Sequence, residues 1–448
     1  MAAEVSSDFT RFFTYSRRVK RLGISRGLPC GNIAEGYALT SPHKISFAVW
    51  DSLSAFGPRP LLPNIIFIHH KEWLGDIGVD WRKVSFHSAD LLFGPRLRKV
   101  EVACVDPYLD FMYATEVIRN LSYIATSVEE LSIEVDTNVY ELPIPTTGYL
   151  SGTELSFLGR LTSFSSRTVC VAPDALIALA TLPFLETLLI RANVAEYPWD
   201  AMPHGDRPPP PQAHFKALCV AIGSLPSSRS IVDLSITLVH SGRNYPRKGI
   251  YRSEDIAPLL SLLAVQRLII SGDGCTTILD DAALEALSQS CPDLVELVLE
   301  TRPRFREEQY RSAHEDLPTP WGLVQLARGC PHITKLALAV DLHFSAAYYA
   351  DPNLQLAWTT PVYRSVCEAP ALQEFDATGS LFGDPMSIAS FLSLLFPQLG
   401  VIWNHAASRG ARGMPVLFHA WFTRVRRQER AWALKERMRL REPDSSEA

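Results

Sequence analysis

The segment Asp280–Glu300, DDAALEALSQSCPDLVELVLE, has the pattern of one complete structural unit. Its apolar residues recur three and four positions apart, with Leu284 and Leu287 among them, which places them on one face of a short helix. The Cys291-Pro292 pair ends that helix, because the residue before a proline is driven out of the helical region. The first half of the segment therefore predicts a helix with a defined end.

The second half predicts a strand, marked by Leu294-x-x-Leu297-x-Leu299, in which the last two leucines share one face with a period of two. A helix and a strand of this size cannot bury their apolar sides alone, so similar units must lie beside them. Such units recur along the chain. Their middle apolar residues are Val100, Leu131, Leu188, Leu234, Leu268, Leu297, Leu336, Phe375 and Ile402, and a further strand is expected near Val169 and Val171.

This repetition predicts an α/β fold of irregular leucine-rich repeats with long inserted loops. In such a solenoid, or horseshoe, parallel strands line the concave face and helices the convex face. We expect an N-terminal helical cap over residues 1–60, the solenoid over 61–405, and a C-terminal basic helical cap and tail over 406–448. Within the first cap an amphipathic helix is predicted over residues 8–24, and the first repeat strand is predicted over 61–68.

Composition narrows the class of protein. With 47% hydrophobic and 20% charged residues, the chain is expected to pack a core. A net charge of −5 argues against nucleic acid or an anionic membrane as the main partner. No apolar run approaches the ~20 residues needed to cross a bilayer. The eight cysteines form no closely spaced metal-binding pair, and the N-terminus lacks the apolar region of a signal peptide, so we expect the cytoplasm or nucleus.

The chain lacks two short patterns that carry common enzyme chemistry. GxxxxGK[ST] and HExxH do not occur, which removes phosphate-loop and zinc-protease sites of those types. Gly272-Asp273-Gly274 lacks the third glycine of a dinucleotide-binding turn, and a turn after a strand explains it. We therefore expect a protein that is not an enzyme and that has no cofactor or metal.

Long insertions follow several of the strands, at residues 191–213, 240–252, 301–319 and 341–360. Because equivalent insertions in stacked repeats project from the same edge, we expect these four to form one rim. The rim is rich in aromatic residues and arginine, which is the composition of protein interfaces. The alternative is that each loop folds back over its own repeat.

Candidate partner-binding residues lie in these insertions and on the concave strand face. They are Arg191, Glu300, Arg302, Arg304, Arg306, Tyr348, Tyr349 and Trp358. In an extended segment Arg302, Arg304 and Arg306 fall on one side, where guanidinium groups can bind carboxylate or phosphate. We therefore predict a protein partner with an acidic or phosphorylated segment, although Glu307 and Glu308 could neutralise the arginines within the loop.

Three segments carry a resemblance to a known family: FTRFFTYSRRVKRL, DALIALATLPFLETLLI and DDAALEALSQSCPDLVELVLE. They resemble the leucine-rich-repeat region of fungal F-box proteins, particularly those expanded in mushroom-forming fungi. The resemblance implies a non-enzymatic module that recognises substrates of an F-box-type ubiquitin ligase. An F-box itself is not visible, so a ubiquitin-ligase adaptor is expected as a partner only if an F-box lies outside this chain. The alternative is a free-standing repeat scaffold or adaptor with no ubiquitin-ligase link.

Overall fold

The computed structural model describes sixteen stretches of the chain. They are residues 14–25, 60–71, 94–104, 118–119, 121, 127–135, 149–150, 155–171, 173–193, 211–224, 230–239, 250–272, 276–300, 316–343, 371–383 and 385–403. The chain divides into two compact units. The first comprises Met1–Pro210 and Val220–Asn244, and the second comprises Pro211–Cys219 and Tyr245–Ala448.

The first unit is built on a row of parallel strands. Its strands are β1 Arg21–Ser25, β2 Phe67–Lys71, β3 Lys99–Cys104, β4 Glu130–Val135, β5 Tyr149–Leu150, β6 Ser163–Val171, β7 Thr187–Asn193 and β8 Asp233–Val239. They lie in the order β1-β2-β3-β4-β6-β7-β8, with β5 beside β6, and each neighbouring pair is parallel. Parallel neighbours require the chain to cross back between strands, and helix α1, Pro173–Ala180, lies in one such crossing.

The second unit repeats this plan with shorter strands. Its strands are β9 Ile250–Tyr251, β10 Arg267–Gly272, β11 Thr276–Thr277, β12 Glu296–Leu299, β13 Lys335–Ala337, β14 Asp341–Leu342, β15 Glu374–Asp376, β16 Leu381–Phe382 and β17 Val401–Trp403. The parallel row is β10-β12-β13-β15-β17, and β9 with β11 and β14 with β16 form two short parallel pairs. The helices of this unit are α3 Ser253–Ile256, α4 Asp281–Ser290, α5 Pro320–Gly329 and α6 Pro385–Leu395, and a 3₁₀ helix spans Ala257–Ser261. Helix α2, Pro211–Gly223, contributes its residues 211–219 to this unit.

The middle apolar residues of the repeats align strand by strand. In the first unit the aligned residues are Ile68, Val100, Leu131, Phe164, Leu188 and Leu234. In the second they are Leu268, Leu297, Leu336, Phe375 and Ile402. All except Ile402 are at most 2% exposed. The nine middle residues predicted from sequence are therefore confirmed, and each unit has the leucine-rich-repeat fold with one strand per repeat.

Two predictions about the first unit are wrong. The helix predicted over residues 8–24 does not extend to its end, because residues 21–25 form β1 and Leu22 aligns with Ile68 of β2. The first strand predicted over residues 61–68 is instead β2, Phe67–Lys71. Leu22, one of the apolar residues that suggested a helix face, thus belongs to a repeat strand, since pairing with a neighbour outweighs the local period. Residues 21–25 accordingly lie in the strand row and not in a helical cap.

The strand predicted near Val169 and Val171 exists as β6, but its buried middle residue is Phe164. The pairing of β6 with β7 shifts register between Ser166 and Cys170. An irregularity of this kind inserts extra residues into one strand and hides the repeat pattern from a sequence reading.

The unit Asp280–Glu300 folds as its sequence predicts. The Asp280 carboxylate accepts a hydrogen bond of 2.8 Å from the Ala283 N–H and caps α4. Leu284 and Leu287 are buried, and the Cys291 N–H donates to the Leu287 carbonyl where the helix ends.

Asp281 fixes the next helix. Its Oδ1 accepts from the backbone N–H groups of Thr319 at 2.7 Å and Gly322 at 3.1 Å, and its Oδ2 accepts from the Thr319 hydroxyl at 2.6 Å. The carboxylate therefore satisfies free N–H groups at the start of α5, where negative charge also complements the helix dipole.

Candidate protein-binding surfaces

The outward face of each row, defined as the strand face opposite the buried middle residues, is a regular surface that the aligned strands create. In the second unit it carries a row of alternating charge. The Glu296 carboxylate accepts from the Arg267 Nε at 3.0 Å and pairs with the Lys335 Nζ at 2.8 Å. Partial burial acts to raise the pKa of Glu296, but the hydrogen bonds with Lys335 and Arg267 hold it below its ordinary value. Glu296 of β12 thus links Arg267 of β10 to Lys335 of β13, and these contacts restrain all three side chains.

Beside this charged row runs an apolar row that the sequence reasoning missed. Ile269, Val298 and the buried Ala337 are in register on β10, β12 and β13, and Trp403 takes the same position on β17 after Asp376 of β15 interrupts the row. Ile269 and Val298 are partly exposed, and Trp403 is 51% exposed. An apolar strip bordered by charged residues is the usual composition of a protein-binding surface. The alternating apolar residues in VQRLII and LVELVL predict strands. They do not show that Ile269 of the first segment and Val298 of the second would lie side by side on the outward face.

The outward face of the first unit is more polar. The Lys99 ammonium pairs with Glu130 at 2.9 Å and with Glu101 at 3.2 Å. The hydrogen bond with Glu130 is the main cause that raises the pKa of Lys99 above its ordinary value. Arg98 pairs with Glu129 at 2.8 Å. The two cations at the start of β3, Arg98 and Lys99, are therefore each matched by a glutamate of the same unit.

Of the candidate residues, Arg191 and Glu300 lie within the described part of the chain. Arg191 is a half-buried residue of β7, aligned with Cys170 of β6 and Thr237 of β8 in the first unit. Glu300 belongs to the second unit, and its Oε2 accepts from the Gly272 N–H at 3.3 Å. Because that bond holds the end of β10, Glu300 has a structural role beside any role in binding.

The other candidates, Arg302, Arg304, Arg306, Tyr348, Tyr349 and Trp358, lie outside the described residues. The ends of their insertions are described, however. Arg252, at the end of insertion 240–252, makes an ion pair with Asp316, near the end of insertion 301–319.

A small apolar cluster lies at these same ends. It contains Ile278, Leu317 and Ala339, with Ile250 and Leu381 packed against it. Ile250 and Leu317 each lie at the end of an insertion, and Ala339 stands shortly before the insertion 341–360. The cluster thus joins the bases of three predicted rim insertions within the second unit.

Within the described stretches, no three His, Cys, Asp or Glu side chains gather to hold a metal ion. In that part of the chain no helix combines the length and the apolar character that crossing a membrane requires.

No family model matches the chain, and no characterised protein matches it in sequence. Among solved structures it is similar to an internalin, InlF, from Listeria monocytogenes, at 12% identity and a TM-score of 0.27, covering 62% of this chain and 75% of the internalin. It is also similar to the leucine-rich repeat-containing protein LegL7 from Legionella pneumophila, at 12% identity and a TM-score of 0.28, covering 90% and 97% of the two chains. The leucine-rich-repeat fold described above rests on the chain's own strands and their register.

Proposed function

We propose that the chain is a non-enzymatic protein-binding repeat module that captures its partner with the insertions of the second unit. The observation that carries this proposal is the shared base of those insertions. The Arg252–Asp316 ion pair and the apolar cluster around Ile278 join segments that are far apart in sequence. A fixed base lowers the conformational entropy that a binding loop loses when a partner orders it.

The proposed partner presents an acidic or phosphorylated segment. Insertion 301–319 carries Arg302, Arg304 and Arg306, whose guanidinium groups suit bidentate recognition of carboxylate or phosphate. Aromatic residues of the insertion 341–360, including Tyr348, Tyr349 and Trp358, would supply apolar contact beside them.

The test is capture from a lysate by the immobilised chain, compared with the variant Arg302→Ala, Arg304→Ala, Arg306→Ala. The matched control is Arg96→Ala, Arg160→Ala, Arg167→Ala, which removes the same charge from exposed positions of the first unit. We expect partners to be lost with the first variant and with phosphatase-treated lysate, and kept with the control. If the first variant captures the same proteins as the wild type, the arginines are solvated surface and the insertions are not the binding site.

Arg191, a residue of β7, and Glu300, which directly follows β12, also belong to the proposal. Substituting Glu300 would also remove the acceptor for the Gly272 N–H, so its effect on capture must be compared with its effect on stability. Trp403→Ala is a cleaner probe of the outward face, because Trp403 is half exposed at the end of the apolar row.

The resemblance to fungal F-box proteins supports a finer version of the proposal, in which the chain recognises substrates for a ubiquitin ligase in the cytoplasm or nucleus. Affinity purification of the full-length transcript product, followed by mass spectrometry, tests it. Recovery of ligase adaptor and scaffold subunits is the expected result. Recovery of other partners without ligase subunits would favour the free-standing scaffold or adaptor.

A further inference from the structure

Strand β1 forms one edge of the row in the first unit. Among the described residues it pairs with β2 alone. The Phe67 N–H donates to the Lys20 carbonyl across this pair, which shows the side of the strand that faces β2. Because backbone groups alternate sides along a strand, the N–H and C=O groups of Arg21, Gly23 and Ser25 face away from β2. An edge of this kind can accept another strand.

The same edge is basic. Arg17, Arg18, Lys20 and Arg21 are exposed, and none of the four makes an ion pair with another described residue. Their side chains therefore differ from Arg98 and Lys99 at the start of β3, each of which faces a glutamate. Four cations that no carboxylate of the described stretches matches give this edge a local positive charge, on a chain whose net charge is −5.

Aromatic and apolar side chains accompany these cations. The Arg21 guanidinium lies 5.0 Å from the centre of the Phe67 ring, and the Arg18 guanidinium lies 5.9 Å from that of Tyr15. Tyr15 is 65% exposed and Ile66 is 40% exposed. Phe67 lies on β2 and Tyr15 shortly before β1, so the rings hold both guanidinium groups beside the edge strand while leaving their N–H groups available.

We propose that the β1 edge binds an acidic, extended segment of a partner protein, which pairs with β1 as an added strand. Backbone pairing supplies affinity and the cations select an acidic sequence. Nucleic acid and lipid headgroups share the negative charge, but neither can pair in series with the backbone of a strand. The surface lies in the first unit and is independent of the insertions of the second.

The first experiment measures fluorescence anisotropy of a labelled eight-residue peptide that alternates Glu and Val, titrated with the full chain. We expect binding that weakens as salt is raised, since exposed charges are screened. The variant Arg18→Glu, Arg21→Glu should weaken it by about tenfold or more, which corresponds to ~1.4 kcal/mol. The control Arg160→Glu, Arg167→Glu makes the same change of net charge at exposed positions away from β1 and should bind like the wild type.

The second experiment separates backbone pairing from charge. The same peptide, N-methylated at alternate residues, keeps its carboxylates but cannot pair along one side. We expect it to lose binding. If the methylated peptide binds as tightly as the unmodified one, the peptide does not pair with β1 as an added strand. If the Arg18→Glu, Arg21→Glu variant binds the peptide as tightly as the wild type, the β1 edge is not the binding site. If an oligonucleotide or an anionic vesicle binds through Arg18 and Arg21 while the peptide does not, the acidic peptide is the wrong partner.

The peptide-binding experiments at β1 and the capture experiment on the insertions test different residues, so failure of one proposal can be told apart from failure of the other. Loss of a partner with the Arg302, Arg304 and Arg306 variant concerns the insertions alone. A change with the Arg18 and Arg21 variant, checked by circular dichroism for retained fold, concerns β1 alone.

Discussion

Cys291 and Cys330 show how one residue type serves the same position in neighbouring repeats. Each stands six residues before a buried middle residue, Leu297 and Leu336 respectively, and Leu262 takes the same position before Leu268. The Cys330 thiol donates to the Cys291 carbonyl at 3.3 Å, and the Cys291 thiol donates to the Leu262 carbonyl at 3.0 Å. Both thiols are buried and free. They are small packing residues that also satisfy a carbonyl at the end of a helix or turn.

These thiols make stability depend on alkaline pH. Burial raises the pKa of Cys291 to about 11 and that of Cys330 to about 12, from an ordinary value of 9.0. The unfolded chain therefore releases these protons first, and the free energy of unfolding falls as pH rises from 9 toward 11. Each thiol contributes up to about 1.4 kcal/mol per pH unit in that range.

Denaturant unfolding of the wild type and of Cys291→Ala, Cys330→Ala from pH 8 to 11 measures this effect. We expect the double variant to be less stable at pH 8 but to lose stability less steeply above pH 9. Parallel pH profiles for the two proteins would contradict buried, protonated thiols.

At the scale of elements, α4 and α5 approach so closely that their contact depends on glycine. A Cβ added at Gly329 would lie 2.5 Å from both the Cβ and the carbonyl oxygen of Ser288. A Cβ at Gly322 would meet the Asp281 carboxylate that caps α5. One helix thus touches the next through a glycine at each end of α5, which leaves no space for a side chain.

Gly329→Ala should therefore destabilise the protein by ~1–3 kcal/mol, because backbone atoms of Ser288 must move. Gly159→Ala is the matched control, since a Cβ there would meet nothing within 4 Å. We expect the control to stay within ~0.5 kcal/mol of the wild type. The measurement is the urea midpoint of both variants, and equal midpoints would show that the two helices can separate without cost.

At the scale of the whole molecule, both strand rows follow the same rule, in which the aligned middle residues from Ile68 to Phe375 are buried and alternate with residues of the outward face. Leu297 is fully buried, and Val298, beside it on β12, is only partly covered. A repeat gains its stability from its neighbours, so damage to one buried position spreads to the strands on each side.

Leu297→Asp should lower the free energy of unfolding by more than ~3 kcal/mol, because it buries an unpaired charge. Val298→Asp places the same group on the outward face and should cost about 1 kcal/mol. Denaturant unfolding, with hydrogen exchange of β10, β12 and β13 amides, compares the two. A similar loss in both variants would mean that the outward face is not open to water.

The sequence by itself determined the repeat and its buried side. The nine middle residues from Val100 to Ile402 could be predicted because burial of every second strand residue is a local property, visible within six residues. The end of α4 at Cys291 and its cap at Asp280 are also local, since the proline and the carboxylate act within one turn.

Only the tertiary structure decided which residues meet across repeats. The outward row of Ile269 and Val298, the Arg252–Asp316 pair at the base of two insertions, and the assignment of Leu22 to a strand all depend on which segment lies alongside. That choice is made by packing and pairing over tens of residues, and a local period of two or 3.6 contains no information about it.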